Sequence, residues 1–416
     1  FLWLASWKNG MSSYMPLWMK RDEERFPRVR LTGGATAEIL STFGEASGKA
    51  DARAFASLMR HLREIDEEHR TVVMMQVENE VGVVGDSRDR SAAADAAFAQ
   101  SVPPELVARL KEGALPELDS LWKHSGARGS GTWEEVFGVG PRADEAFMAW
   151  HYARYIDRVA AAGKAEYPIP MYTNAWLSEP DAVPGDYPSG TPAAHLLDVW
   201  QVGAPHLDLF APDIYAPDFT ERCRLFHRRG NPLFIPEMNL SEVGARQVFY
   251  AVGAHDAVGV SPFGIDRIET GSPVATSYET LAQIAPAILE GQGLGRTFGF
   301  LLDASHPQVE TVMAGYRLEI SLDSIFGYTA TEGNGILVAT GEGEYLGAGS
   351  GFRIRFVPAT PGPPLAGIGT VEEGTFVDGS WIPGRRLNGD ETDRGWRWRF
   401  NSAGQSISRC VVYRYG

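Results

Sequence analysis

Short apolar, strand-like runs recur along the first 295 residues of the chain. They lie at about 1–7, 71–80, 169–174, 207–214, 232–238 and 257–265. Continuous apolar runs of this length are typical of strands that are buried on both faces, as in a parallel sheet. We therefore predict six strands in this part of the chain.

Helical periodicity separates these strands. Residues 52–70 place apolar side chains on one helical face, and residues 143–163 and 276–291 repeat the pattern. The alternation of strands with helices predicts βα units and a parallel sheet, which is an α/β fold.

The connection over about 83–142 is much longer than a usual βα loop. It contains a predicted helix near 103–124, whose apolar positions include Leu106, Leu110 and Leu115. We interpret the connection as an insertion that covers the face of the sheet where the strands end. The alternative is a surface excursion that makes no contact with a ligand.

Helical periodicity stops near residue 295, and short alternating runs with Gly/Pro-rich turns follow. Tyr316–Ile320 and Phe352–Phe356 are two such runs. This pattern predicts an antiparallel β domain over residues 296–416. Trp396 and Trp398 lie on one side of a predicted strand, and we interpret them as core residues rather than as a platform for a sugar.

Composition excludes several classes of function. The net charge of −15 at pH 7 argues against a nucleic-acid partner, because phosphate groups would be repelled. No run of about 18 apolar residues occurs, so we expect no membrane-spanning helix and no membrane partner. The chain contains no His-Glu-x-x-His, Cys-x-x-Cys or phosphate-loop motif, so we expect neither a metal nor a cofactor.

The two cysteines, Cys223 and Cys410, are too few for a disulfide framework and identify no compartment. We favour a periplasmic or secreted location over a cytoplasmic one. A homo-oligomer is compatible with all of these properties.

Two of the predicted strands lead into a glutamate. Glu80 follows the first of them, in the segment Gln76–Gly82, and Glu237 lies in the segment Leu233–Met238. In an α/β barrel the chemistry is located where the strands end, on the carboxyl-terminal face. Glycoside hydrolysis needs two carboxyl groups across one bond, one protonated and one ionised. The alternative for either glutamate is a solvated residue at a strand terminus.

The sequence around these glutamates resembles a known family. Gln-Val-Glu-Asn-Glu at residues 76–80, followed by Gly82, resembles the acid/base motif of glycoside hydrolase family 35, the β-galactosidases. Pro236-Glu237 resembles the nucleophile segment of the wider clan A of (β/α)8 glycosidases. Residues 3–18 resemble the third barrel strand of a bacterial branch of the family, in which a small β domain follows the barrel.

The resemblance implies an architecture. Residues 1–295 would be a (β/α)8 TIM barrel with its insertion at about 83–142, and residues 296–416 an antiparallel, β-sandwich-like domain. Because six units are present rather than eight, the resemblance implies that the chain starts at the third barrel strand. Two βα units, of roughly 100 residues, are then expected before Phe1. The alternative is a six-unit open sheet.

The resemblance also implies roles. Glu80 would be the general acid/base, and Glu237 the nucleophile of a retaining mechanism, with their carboxyl groups about 5–5.5 Å apart. Asn79 would bind the sugar 2-hydroxyl. From its spacing rather than from the resemblance, Glu78 is predicted to share a strand face with Glu80, because it lies two residues away. It would then bind a hydroxyl, support the acid, or be a structural carboxylate inside the barrel.

Other residues follow predicted strands and are candidates to line the pocket. Any of them is otherwise a loop residue that meets no ligand. They are Trp7, Lys8 and Asn9 after the first strand, Asn174 and Trp176 after the third, Tyr215 after the fourth, and Asp266 after the sixth.

The leading hypothesis is a retaining exo-β-galactosidase that acts on a carbohydrate substrate, an oligo- or polysaccharide. Residues 5–8 and Asn239 depart from the pattern of many family members, which leaves the sugar open. The alternatives are a β-glucosidase, a β-glucosaminidase or an α-L-arabinopyranosidase of the same clan, or a non-catalytic carbohydrate-binding protein.

Overall fold

The computed structural model describes residues 1–113, 116–179, 181–325 and 327–416. Its strands are β1 (Leu2–Lys8), β2 (Arg28–Arg30), β3 (Thr36–Leu40), β4 (Met75–Asn79), β5 (Met171–Trp176), β6 (Leu209–Ile214), β7 (Phe234–Met238), β8 (Gly259–Pro262), β9 (Thr297–Leu302), β10 (Gln308–Met313), β11 (Tyr316–Leu322), β12 (Ser324–Ile325), β13 (Tyr328–Thr329), β14 (Gly333–Gly341), β15 (Glu344–Ser350), β16 (Phe352–Pro358), β17 (Leu365–Val377), β18 (Ser380–Leu387), β19 (Trp398–Phe400) and β20 (Ser406–Tyr415). Its α-helices are α1 (Leu17–Lys20), α2 (Glu45–Asp66), α3 (Ala92–Phe98), α4 (Pro104–Lys111), α5 (Pro116–His124), α6 (Trp133–Phe137), α7 (Pro141–Lys164), α8 (Leu197–Gly203), α9 (Phe219–Phe226), α10 (Glu242–His255) and α11 (Pro273–Gly291). Short 3-10 helices lie at Ala194–Leu196, Ile265–Arg267 and Gly389–Thr392.

The predicted fold class is confirmed: a parallel α/β, barrel-like sheet is followed by antiparallel sheets in a C-terminal β domain. The parallel sheet has six strands, in the order β1-β4-β5-β6-β7-β8. The pairs β1–β4, β4–β5, β5–β6 and β7–β8 are parallel in register. Each strand starts within four residues of the predicted start. Every residue of β4 is buried, as expected for a parallel sheet that is covered on both faces.

The chain divides into two compact units, residues 1–216 with 229–231 and residues 217–228 with 232–416. The first unit holds β1 to β6 and the second holds β7 to β20. The predicted domain boundary near residue 295 stays a prediction. Among the described residues, no helix combines the length and the apolar character that a bilayer crossing requires.

Helix α2 begins at Glu45, well before the predicted residue 52. Its first turns bury Ser47, Gly48 and Asp51, which are not apolar and so give no periodic signal. Gly48 lies close to α7, because a Cβ at this position would be 2.8 Å from the Arg158 guanidinium. Because α2 packs on α7 through small and polar residues, its first turns show no apolar periodicity. The start of the helix therefore cannot be predicted from the sequence.

The single helix predicted near 103–124 is wrong, because the chain forms α4 and α5 instead. Helix α4 ends at Lys111, and Gly113 adopts a left-handed φ of 73°. A glycine in this conformation terminates a helix without the steric cost that a Cβ would add. Leu115 lies outside the described residues. That the insertion covers the functional face stays a prediction.

The core of the β domain lies between two antiparallel sheets, β10-β11-β16-β19 and β18-β17-β20-β15-β14-β9. Inward side chains of both sheets form one cluster, which includes Phe300, Leu318 and Phe352. Trp398 is fully buried in this cluster, so its prediction as a core residue is confirmed. Trp396 is 52% exposed and precedes β19, so the same prediction is wrong for it.

Candidate active site

Glu80 directly follows β4 and is only 6% exposed. Its φ is 49° and that of Glu78 is 62°, both in the left-handed region. Side chains other than glycine adopt this region at a cost of about 1–2 kcal/mol each. Such strain persists where the surrounding structure imposes it and is concentrated at functional sites. The backbone at the end of β4 is therefore a candidate functional segment.

Hydrogen bonds from neighbouring segments hold this backbone in place. The N–H of Glu80 donates to Asn174 Oδ1 at 3.0 Å. The N–H groups of Asn9 and Gly10 donate to the carbonyl oxygens of Asn79 and Glu80, at 3.1 and 2.9 Å. The position of Glu80 thus depends on β5 and on the turn after β1.

A network of buried amides fixes the side chains beside Glu80. Gln76 Nε2 donates to Asn79 Oδ1 at 3.1 Å and to Asn174 Oδ1 at 2.9 Å. Tyr172 donates its hydroxyl to Gln76 Oε1 at 2.9 Å, which sets the orientation of the Gln76 amide. Asn79 Nδ2 then lies 3.4 Å from Glu80 Oε2. Asn79 therefore presents a donor next to the carboxyl group of Glu80.

Asn174 connects this network to β6. Its Nδ2 donates to Asp213 Oδ2 at 2.6 Å, and Asp213 is 3% exposed. The sequence prediction did not single out Asp213, Gln76 or Tyr172. A signal was available, because a polar residue inside a strand that is buried on both faces must be hydrogen-bonded there.

Glu78 lies beneath this site and not in it. It is fully buried, and its carboxyl oxygens accept the N–H groups of Ser6 at 3.1 Å and Trp7 at 2.8 Å. Burial, and then the charge of Asp51, raise the pKa of Glu78 well above its usual value. Burial also raises the pKa of Asp51. The pair therefore binds a proton more tightly than two separate carboxyl groups would. These contacts favour the alternative in which Glu78 is a structural carboxylate.

The prediction that Trp7 lines the pocket is wrong. Its side chain is 0% exposed and packs edge-on against Tyr152 and Tyr155 of α7, with ring centroids 5.2 and 4.7 Å apart. Trp7 therefore faces the helix layer. Lys8, the last residue of β1, is half-buried, and Asn9 after it is exposed.

Two exposed aromatic side chains end the neighbouring strands. Trp176 is the last residue of β5 and is 41% exposed, while Tyr215 follows β6 and is 45% exposed. The parallel register places Trp176 beside Asp213, so both rings lie at the carboxyl edge of this part of the sheet. Exposed aromatic faces at a strand end suit a sugar ring. Their contact with a ligand stays a prediction.

In the second unit, Glu237 is the fourth residue of β7 and is half-buried. Asp266 is exposed in the 3-10 helix Ile265–Arg267. The strand predicted over 257–265 ends at Pro262, and Gly264 turns the chain with a φ of 79°. Asp266 is therefore separated from its strand by a turn.

Comparison with known proteins gives partial matches. Residues 274–399 match a family that is described as a domain of unknown function, DUF5597. No curated protein matches the chain in sequence. A β-galactosidase from Bacillus circulans sp. alkalophilus has a TM-score of 0.42 at 16% identity, over 68% of this chain and 46% of that one.

A β-galactosidase from the psychrophilic Marinomonas ef1 has a TM-score of 0.41 at 14% identity, over 67% of this chain and 49% of that one. The catalytic domain of a β-amylase from Paenibacillus polymyxa also has a TM-score of 0.41, at 11% identity, over 65% of this chain and 77% of that one. The chain spans about half the length of the two β-galactosidases.

Proposed function

We propose that the protein is a retaining glycoside hydrolase, with Glu80 as the general acid/base and Glu237 as the nucleophile. The observation that carries this proposal is the placement of Glu80. It is a buried carboxylate in a strained left-handed conformation, at the carboxyl end of a parallel strand, inside a network of amides. Catalytic groups of parallel α/β enzymes occupy this position.

In the proposed first step, Glu237 attacks the anomeric carbon while Glu80 donates its proton to the leaving oxygen. A covalent glycosyl-enzyme forms, and the aglycone departs with that proton. In the second step Glu80 removes a proton from water, which attacks the same carbon and releases Glu237. The configuration is inverted twice and so retained.

The surrounding residues support this chemistry. Asn79 Nδ2 donates to Asn9 Oδ1 at 3.2 Å and lies 3.4 Å from Glu80 Oε2, and in the proposed complex the sugar 2-hydroxyl replaces one of these acceptors. Such a hydrogen bond strengthens as the oxocarbenium-like transition state forms. The exposed rings of Trp176 and Tyr215 offer apolar surface to the sugar.

We propose terminal β-linked galactose as the sugar that is released, from an oligo- or polysaccharide. The support is the resemblance of residues 76–80 to the acid/base motif of the β-galactosidases. Galactose and glucose differ in the orientation of one hydroxyl group, so a panel of substrates must decide the sugar.

The test is hydrolysis of nitrophenyl glycosides by the wild type and by two variants. The panel contains β-galactoside, β-glucoside, β-glucosaminide and α-L-arabinopyranoside. Glu237→Gln should abolish turnover, because an amide cannot attack the anomeric carbon. Glu242→Gln is the matched control, since Glu242 is exposed at the start of α10.

Hydrolysis of another glycoside in preference to the β-galactoside would reassign the sugar and keep the mechanism. Turnover of none of the four, or equal activity of Glu237→Gln and Glu242→Gln, would overturn the proposed function.

A further inference from the structure

The β domain carries a cluster of arginines on the outer face of the β10-β11-β16-β19 sheet. Four of them line a cavity of about 390 Å³, which lies wholly within the second unit. The cavity is lined by Ser324, Ile325, Arg353, Asp390, Asp393, Arg394, Arg397 and Arg399. The chain as a whole has a net charge of −15, so these four guanidinium groups form a local concentration of positive charge in an acidic protein.

Two of these arginines are cross-strand neighbours. Arg353 of β16 and Arg399 of β19 lie directly opposite each other in the antiparallel register. Like charges in this arrangement destabilise a sheet unless a counter-ion is present. Arg399 has one, because its Nε and Nη2 each donate to Asp323 at 2.8 Å.

Arg353 differs from its neighbour. It donates to Ser321 Oγ at 3.3 Å and to the carbonyl oxygen of Ser324 at 2.9 Å, which are both neutral. Among the described residues, no carboxylate forms an ion pair with it.

Burial, followed by the charge of Arg397, lowers the pKa of Arg353. The charges of Asp323 and Asp393 act in the opposite direction, but Asp323 is paired with Arg399 and Asp393 with Arg397. The half-buried guanidinium of Arg353 therefore has no ion-pair partner of its own in the described part of the chain.

The acidic residues of the cavity restrict the kind of anion. Asp393 lies 3.4 Å from Arg397 and 3.7 Å from Arg394, so it neutralises part of the charge at the rim. Asp390 and Asp393 would repel a polyphosphate, but their oxygens accept hydrogen bonds from hydroxyl groups.

We propose that this cavity binds a saccharide that carries one oxyanion, either a carboxylate or a sulfate ester. The oxyanion supplies the counter-ion of Arg353 and accepts hydrogen bonds from the guanidinium N–H groups that Ser321 and Ser324 do not use. The sugar hydroxyls donate to Asp390 and Asp393. This site goes beyond the proposed glycosidase function and does not rest on it.

Binding to the full chain, measured by isothermal titration calorimetry, tests the proposal. The probes are D-glucuronate, D-galactose 6-sulfate, D-glucose, inorganic sulfate and a single-stranded oligonucleotide. At least one acidic sugar should bind saturably, and more tightly than glucose or inorganic sulfate. Comparison of the two acidic sugars then identifies the oxyanion.

Arg353→Gln should weaken binding of that sugar by about tenfold or more, because a charge-assisted hydrogen bond is lost. Arg353→Lys keeps the charge but not the planar donors, so it should bind with intermediate affinity. Arg317→Gln is the matched control and should bind as the wild type does. Arg317 is exposed on β11 of the same sheet and pairs with Glu319, outside the cavity. Far-ultraviolet circular dichroism confirms that each variant is folded.

Four outcomes would overturn the proposal. The first is that neither acidic sugar binds saturably, and the second is that inorganic sulfate competes at equal strength. The third is that Arg317→Gln and Arg353→Gln weaken binding of the acidic sugar equally. The fourth is that a single-stranded oligonucleotide binds more tightly than the sugars and that Arg353→Gln abolishes its binding. The last outcome would assign the cavity to nucleic acid.

Discussion

The buried pair of Glu78 and Asp51 makes the stability of the first unit depend on pH in a predictable direction. The pKa of both carboxyl groups is raised, mainly by burial. The folded state therefore binds a proton at a pH where the unfolded chain, with pKa values of about 4, has released it. The bound proton stabilises the folded state fully below pH about 4. This stabilisation is lost as the pH rises through the pKa that the pair has in the folded state.

The perturbation is Asp51→Asn, which removes one acid and keeps a side chain of the same shape. Ser6 Oγ and Trp3 Nε1 donate to Asp51 at 2.6 and 2.9 Å, and an asparagine oxygen can still accept one of these bonds. For a single proton, the free energy of unfolding of the wild type should fall by up to about 1.4 kcal/mol per pH unit above pH about 4. Asp51→Asn should reduce this slope, because the charge of Asp51 is the second cause of the raised pKa of Glu78, whereas burial, the first cause, remains.

Urea unfolding followed by far-ultraviolet circular dichroism, at several pH values from 4 to 8, measures this slope. Glu64→Gln is the control for the change in charge, since Glu64 is exposed on the same helix. Glu78→Ala should instead cost about 2–6 kcal/mol, because two buried N–H groups of β1 lose their acceptor, at about 1–3 kcal/mol each. Parallel curves of unfolding free energy against pH for the wild type and Asp51→Asn would refute the shared proton.

Further predictions concern the proposed active site. Glu80→Ala should spare nitrophenyl substrates in the first step and slow those with poor leaving groups by about 10²–10⁴-fold; equal loss on both would count against the acid role. Azide added to Glu237→Gly should give an α-glycosyl azide, identified by nuclear magnetic resonance, whereas a β-azide would reverse the two roles. Asn174→Ala should lower the free energy of unfolding by about 1–3 kcal/mol, and an unchanged urea midpoint would show that its hydrogen bonds do not stabilise β4. Trp176→Ala should raise KM more than it lowers kcat, and an unchanged KM would exclude contact with the sugar.

Apolar patterning was sufficient to predict the strands of the parallel sheet and helices α7 and α11. Their apolar residues repeat with the period of the element, so the signal is local. The start of α2 could not be predicted, because it packs through Gly48 and buries the polar Asp51. The break between α4 and α5 was also missed, since apolar residues continue in register past Gly113.

Within the site, the sequence located Glu80 and Asn79 but not the environment of either. A period of two predicts that Glu78 and Glu80 share a strand face, but both residues have a positive φ, and the alternation fails there. The same alternation does not tell which face of β1 meets α7, so Trp7 was assigned to the wrong side. The roles of Asp213 and Asp51 depend on partners that are distant in sequence, Asn174 and Ser6.

The left-handed backbone at Glu80 has a consequence for laboratory evolution of this chain. Glycine adopts a φ of 49° without a Cβ penalty, so Glu80→Gly relieves backbone strain as it removes the carboxylate. A library selected only for heat resistance would therefore tolerate the loss of this side chain and discard the proposed activity. Thermostable variants should be sought with residue 80 held fixed, or under a selection that requires turnover in every round.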